Sequence, residues 1–369
     1  LMTKARDIAD NAGQGGGGNK NLVINGAMQV SQRHGTSSVQ LSATEQYLVD
    51  RFFNDTGSNF NISADAVQSS DAPSGFANSL KLSCDAVTTP TSVQNGCITT
   101  LIEGQDCQRL AFGTSDAKDV TLSFYAKSSS QNSGHTYGIM LGAYLNGTRN
   151  AQVKSFTVTD SWQRFTITFN GTGTVTSTAI NNDNANGMQI SFSLAAGSSD
   201  QVSYSTWTND TGLKGFTGQD NFFDNTNNEF YLTGVQLEVG DKATDFEHMS
   251  FADELQKCLR YFTKTYDMDV FVGHSGDDYD GSMAQRSISS TSSNQLGEPF
   301  SVRMRAMPTV TFYGPTPATN TAGTIRGSGN AAITANLGGN SNERTVYVQF
   351  TSNQSYSYIS AHYTADAEL

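Results

Sequence analysis

The sequence predicts a mainly β protein: an antiparallel jelly-roll sandwich, one short connecting helix, then a second, smaller β domain. Three observations predict it. Apolar residues alternate with Ser and Thr at period two through many short runs, which is the pattern of half-buried strands. Gly, Asn, Ser and Thr crowd between those runs, where turns need positive φ or local side-chain hydrogen bonds. Convincing helical periodicity occurs once, just after Ser250.

In chain order, Thr3–Asn11 (TKARDIADN) is expected to form one or two helical turns, too short to persist alone. Gly13–Gly18 reads as a flexible tether. Residues 1–19 are therefore predicted to be an anchor and linker, with Arg6 and Ile8 meeting whatever the chain attaches to. The alternative is a frayed terminus. Strand signals begin at Asn21, where Leu22-Val23-Ile24 runs into the turn dipeptide Asn25-Gly26. Further runs follow at Leu80–Ser83, Cys97–Leu101, Val120–Lys127, Tyr137–Tyr144, Gln163–Asn170 and Met188–Leu194. Val120, Leu122, Phe124 and Ala126 fall on one face, as do Phe165, Ile167 and Phe169. Short strands between turns at this spacing suggest a sandwich. Phe230–Val239 closes this region, predicted as residues 20–248.

Ser250 with Asp253 three residues on resembles a capping box. Phe251, Leu255, Leu259 and Phe262 then make a stripe at helical spacing, so a connecting helix is placed within 249–264. Residues 265–369 form the second β region. Strands are expected there at Asp267–Val272, Phe300–Met304, Thr309–Tyr313, Thr345–Phe350 and Tyr356–Tyr363.

A net charge of −12 lacks the basic stripe that nucleic acid requires. It also disfavours an anionic membrane surface, and no run approaches the length of a membrane span. Leu1–Ala12 has no apolar core, so no signal peptide is expected there. Cys84, Cys97, Cys107 and Cys258 have no metal-ligand spacing. They are read as reduced, structural residues, with local pairing among the first three as the alternative.

No catalytic motif appears, and the five histidines are scattered. No enzyme activity is expected, although paired carboxylates that meet only in space escape such a reading. Asn182–Gly187 matches the first half of a calcium loop, but position twelve would be Ser193 in place of Glu. Gly276–Gly281 fails at the first ligand. Both read as turns. No cofactor is expected, and a structural calcium built from distant carboxylates stays open.

Tyr and Trp combine a flat apolar face with a polar edge, which suits stacking on sugars. Trp162, Trp207, Tyr137, Tyr144, Tyr204, Tyr356, Tyr358 and Tyr363 offer this chemistry. Trp207, Tyr204, Tyr356, Tyr358 and Tyr363 are singled out as glycan contacts. Asp224–Glu229 is a polar loop that suits a glycan or a solvated turn.

Three blocks in order carry a resemblance. Asn21–Arg33 with Tyr47–Phe52 resembles the opening of tail-fibre proteins of marine and other tailed bacteriophages. Phe230–Glu247, running into Glu254–Phe262, resembles the end of the same module. Phe300–Val310 resembles the start of the region after it. Val120–Lys127 and Trp162–Phe169 look like paired inner strands of carbohydrate-binding jelly rolls. Those modules often carry Asp where this chain has Thr233-Gly234, a departure at any inherited calcium site.

The resemblance implies a structural virion protein: a homotrimeric tail fibre outside the particle, made in the host cytoplasm. It would bind a phage tail or adaptor protein through its N-terminus and host surface polysaccharide at its C-terminal, distal tip, without nucleic acid or membrane insertion. Symmetric copies would strengthen weak sugar binding. The competing readings are a head fibre or decoration protein, a glycan depolymerase, and a cellular lectin.

Overall fold

The computed structural model describes residues 20–57, 60–172, 178–209, 212, 214–274, 280–288, 294–317, 319–350 and 356–369; at 285–288, 294, 295, 356 and 357 only the backbone is described. Arg6 and Ile8 lie outside these residues, as do most of Gly276–Gly281 and the anchor and tether.

Two antiparallel sheets face each other. The first runs in spatial order Val39–Gln40, Ala64–Ser69, Ser79–Cys84, Glu229–Val239, Val120–Ser128, Gln163–Phe169. The second runs Thr208–Asn209, Thr148–Thr157, Thr136–Leu145, Asn186–Ala196, Asn95–Glu103, Phe52–Gly57, Gln46–Val49. The chain crosses repeatedly between them, as in a jelly roll: Val120–Ser128 lies in the first sheet, the next two strands in the second, and Gln163–Phe169 back in the first. Period two decides what meets in the middle. Val120, Leu122, Phe124 and Ala126 are fully buried from one sheet, and Ile139, Leu141, Ile190 and Phe192 from the other. Phe124 bridges the gap edge-on to Phe192 and Phe156, each with centroids 5.0 Å away. Each large apolar side chain so buried contributes roughly 1.5–3 kcal/mol.

The run Leu22–Ile24 is not a strand. It lies beside Glu229–Val239, with the Leu22 amide donating to Leu237 O at 3.0 Å, and turns at once. Asn25 adopts φ 59°. Its side chain donates to Val30 O and Asp50 O, both at 2.8 Å, so local polar bonds override strand pairing. Gly26 must be glycine, because a Cβ there would lie 2.1 Å from Val235 O.

The helix spans Phe251–Leu259, with Ser250 accepting from the Asp253 amide at 3.2 Å. The apolar stripe does not define its buried face. Glu254 and Cys258 point inward, Phe251 is 47% exposed, and Phe262 has already entered the strand Phe262–Lys264. Glu254 Oε1 accepts the Asn25 amide at 2.5 Å. The donor of that tight turn thus selects the inward face.

The C-terminal strands gather around Tyr356–Asp366. It pairs with Phe262–Lys264, Met283–Ile288, Thr309–Tyr313 and Thr324–Gly327, and the sheet continues through Ala331–Leu337, Thr345–Phe350 and Asn294–Pro299. Asp267–Val272 and Phe300–Met304 are loops. Phe300 and Met304 nonetheless plug this second core, anchored through backbone bonds to Arg344 and Glu343. All four cysteines are free and buried.

Candidate functional site

The outward face of the first sheet carries a row of side chains that strand register alone brings together. Lys127 pairs with Tyr231, and Tyr231 with Lys81. Trp162 directly precedes Gln163, which pairs with Ala126, so it stands opposite Lys127. Neighbouring strands are about 4.8 Å apart, so the four side chains make a row about 14 Å long. It alternates aromatic and cation: Trp162, Lys127, Tyr231, Lys81.

The contacts are close. Lys127 Nζ lies 4.5 Å from the Tyr231 ring centroid and 5.5 Å from that of Trp162. Lys81 Nζ lies 5.4 Å from Tyr231 on its other side. Trp162 and Tyr231 meet edge to face at 6.1 Å. A carboxylate stands at each end. Asp71 pairs with Lys127 and accepts Trp162 Nε1 at 3.1 Å. Glu229 pairs with Lys81 at 2.6 Å and accepts the Tyr231 hydroxyl at 2.8 Å. Partial burial would raise both carboxyls. Hydrogen bonds from Lys127 and Trp162 outweigh it for Asp71, and bonds from Lys81 and Tyr231 outweigh it for Glu229, so both are held below their usual range. The row is thus a pre-set arrangement of the half-buried Trp162 ring, the buried Tyr231 ring (6% exposed), ammonium donors and ionised acceptors.

The adjoining row is capped. Phe76 packs on Tyr125 at 5.3 Å, and on Phe246 and His248 at 5.0 and 4.9 Å. Gly234, at φ 62°, admits this cap, since a Cβ would come within 2.8 Å of the Phe76 ring. Thr233, where resembling modules often have Asp, is buried and donates to Asn78 O at 2.8 Å. It thereby holds the loop that carries Asp71 and Phe76. Among the described residues no group of three or more His, Cys, Asp or Glu side chains is placed to hold a metal. In the Asn182–Gly187 loop, Asp183 Oδ1 accepts the Ala185 amide at 3.0 Å, as a turn does.

The outward face of the second sheet is largely covered. Met140, Ala151 and Val153 lie beneath Val202, Tyr204 and Phe216. Beside them, Gln189 accepts from the Tyr144 hydroxyl and Arg149 Nη1, each at 2.9 Å.

The singled-out aromatics do not converge. Trp207 is buried, edge-on to Phe112 at 5.3 Å, with Nε1 donating to Asn170 O at 2.5 Å. Tyr363 is buried against Phe300. Neither ring offers a face to a ligand, because core packing has taken both. Tyr204 is half-buried in the cover just described. Tyr358 is half-buried with the Arg326 guanidinium 5.0 Å from its ring centre. The side chain of Tyr356 lies outside the described residues. The sequence offers Trp162 among eight aromatics with sugar-stacking chemistry without singling it out, and it does not offer Tyr231, Lys81 or Lys127. Their signal is an outward polar position on each of three strands, which acts only once those strands are known to be neighbours.

No family model matches the chain, and no curated protein matches it. Solved structures do. The enzymatically active domain of bacteriophage CBA120 tailspike protein 4 is 12% identical over 60% of this chain, with a TM-score of 0.29; the chain spans 21% of its length. The family 11 carbohydrate-binding module of the Clostridium thermocellum cellulase Lic26A-Cel5E is 17% identical, covering 56% of this chain and 99% of the module, with a TM-score of 0.27. A putative sugar binding protein from Bacteroides thetaiotaomicron is 9% identical, covering 59% and 99%, with a TM-score of 0.31. Superpositions this partial carry no functional weight.

Proposed function

We propose that this protein is a non-catalytic glycan-recognition protein that binds carbohydrate along the Trp162–Lys127–Tyr231–Lys81 row. The observation that carries the reading is the row itself. The half-buried Trp162 ring packs against the C–H face of a sugar, and flanking ammonium and carboxylate groups bond its hydroxyls. All are held in place by mutual contacts before a ligand arrives, which lowers the cost of binding. The resemblance of Asn21–Arg33 with Tyr47–Phe52, of Phe230–Glu247 running into Glu254–Phe262, and of Phe300–Val310 to phage fibres supplies the setting: a homotrimeric tail fibre on the particle exterior, attached through residues 1–19 to a tail or adaptor protein. In this setting the sandwich does the recognising, with residues 265–369 packed beside it.

The test is affinity electrophoresis of the full chain through gels containing host surface polysaccharide, beside the Trp162→Ala variant. Retardation of the parent, weakened at least tenfold in the variant, is the expected result. Equal retardation of both would remove the row from the reading. Release of reducing ends during incubation would replace it with a depolymerase.

A further inference from the structure

The charges of the sheet-face row are balanced inside it. Lys127 pairs with Asp71, and Lys81 with Glu229 at 2.6 Å. Asp71 also holds the Trp162 indole N–H, and Glu229 the Tyr231 hydroxyl. Two ammonium groups therefore meet two carboxylates, and the row presents no net charge. Solvent does not reach the two signs equally. The Asp71 side chain is 45% exposed against 16% for Lys127, and Glu229 is likewise more exposed than Lys81. In each pair a ligand meets the carboxylate more readily than the ammonium that neutralises it.

The acidic bias continues around the row. Ala64 and Ala66 are fully buried, so period two turns Asp65, between them, outward. Asp65 pairs with Ser83, and Ser83 with Glu229, which sets it two strands and about 10 Å from Glu229. Its carboxyl is raised by partial burial and by the neighbouring Asp85. The whole chain carries a net charge of −12.

A ligand's charge decides how it meets this surface. A hydroxyl both donates and accepts, so a neutral sugar gives a hydrogen bond to Asp71 or Glu229 and takes one from Lys127 or Lys81. A sugar carboxylate only accepts. It finds each ammonium already neutralised, and it must come up against the more exposed carboxylate of the pair. Asp71 and Glu229 are both held below their usual range, so neither takes up a proton near neutrality to relieve the repulsion. Like charges so placed reject the wrong ligand without adding affinity for the right one.

We propose that the row selects neutral sugars and excludes acidic ones, with Asp71 and Glu229 as the specificity-determining residues. This rests on the reading of the row as a glycan site and names the class of glycan it takes. Trp162 supplies a stacking face to either class, and the two carboxylates decide between them.

The experiment is affinity electrophoresis of the full chain through gels holding one host surface polysaccharide in two forms. In one its carboxyl groups are reduced to alcohols, and in the other its primary hydroxyls are oxidised to carboxylates. The reduced form should retard the parent at least tenfold more strongly than the oxidised form, and equally at low and high salt. Asp71→Asn/Glu229→Gln leaves both ammonium groups without a counter-charge. It should bind the oxidised form at least fivefold more tightly than the parent does, and lose that gain as salt is added. Each single variant should show part of the gain, which keeps the proposal testable if the double variant folds poorly. Equal or tighter binding of the parent to the oxidised form, or an unchanged preference in the variants, would overturn the proposal and leave the row a glycan site. Failure of both forms to retard the parent, or retardation that Trp162→Ala leaves intact, would instead overturn the reading of the row, and the proposal with it.

Discussion

Trp162 and Trp207 bring the same ring to opposite surroundings. Trp207 is 7% exposed, and its removal would leave a cavity beside Phe112. Trp207→Ala should therefore cost about 3–5 kcal/mol in urea unfolding. Trp162 is half-buried, and its indole N–H bonds the surface carboxylate Asp71. Trp162→Ala should cost about 1 kcal/mol or less, while removing glycan retardation. Equal stability losses would mean that Trp162 is a core residue. The row also has a defined acid limit. Asp71 is held below its ordinary value of 3.8. A carboxyl depressed in the folded state contributes its stabilisation above the unfolded value and loses it as pH falls through the folded one. The Trp162 emission, taken as the difference between the parent and Trp162→Phe, should thus stay constant from neutrality down to that value and change only below it. A shift already under way above 4.5, the ordinary glutamate value, would show that Asp71 is not so held. This contrast also marks where sequence reading stopped. Both tryptophans are flat and polar-edged, and nothing local to Trp207 announces that its face is spent on Phe112.

At the scale of elements, the alternating runs were legible because period two encodes its own answer. Val120–Lys127 and Thr345–Phe350 were placed to within a residue, each having one apolar face and one polar face. Runs whose fate depends on a distant bond were not. Leu22–Ile24 looks like a strand, yet the Asn25 side chain captures Val30 and Asp50 backbone oxygens and turns the chain. The helix shows the same effect. Its start was legible from Ser250 and Asp253, but its buried face was not, since Glu254 faces inward to meet the Asn25 amide. Two substitutions separate these contributions. Ser250→Ala removes the cap and should cost about 1 kcal/mol. Glu254→Ala leaves the buried Asn25 donor unpaired and should cost about 1–3 kcal/mol, despite improving helix propensity. If thermal unfolding found Glu254→Ala neutral or stabilising, the turn would not be what orients the helix.

At the scale of the molecule, the two larger apolar cores among the described residues, one within residues 22–237 and one within 283–367, meet through polar groups. Arg51 is the centre of that meeting. It is 2% exposed, its guanidinium lies 3.6 Å from the Tyr261 ring centre, Nη2 donates to Leu101 O at 2.7 Å, and Nη1 pairs with Glu368. Arg33 stacks on Phe262 at 3.7 Å and bonds Asp366 at 2.8 Å, while Gln32 Nε2 donates to Phe262 O at 2.9 Å. Arg305 Nη1 reaches back to Asn184 O at 2.6 Å. Buried ion pairs add little net stability, but removing one partner strands the other's charge at a cost of about 3–5 kcal/mol, an upper bound for Arg51 because Glu368 keeps Arg33 Nη1 at 3.4 Å. That cost falls on the contact between the cores and spares each core's interior. The parent should therefore melt in one calorimetric transition, because neither core can open without exposing the Arg51–Glu368 pair. Arg51→Met, which keeps apolar contact with Tyr261 but abandons Glu368, should split it in two, with one transition near the parent's and one lower. A single transition shifted down as a unit would instead mean that the strands around Tyr356–Asp366 cannot stand without the sandwich, and that the second core is an extension of the first.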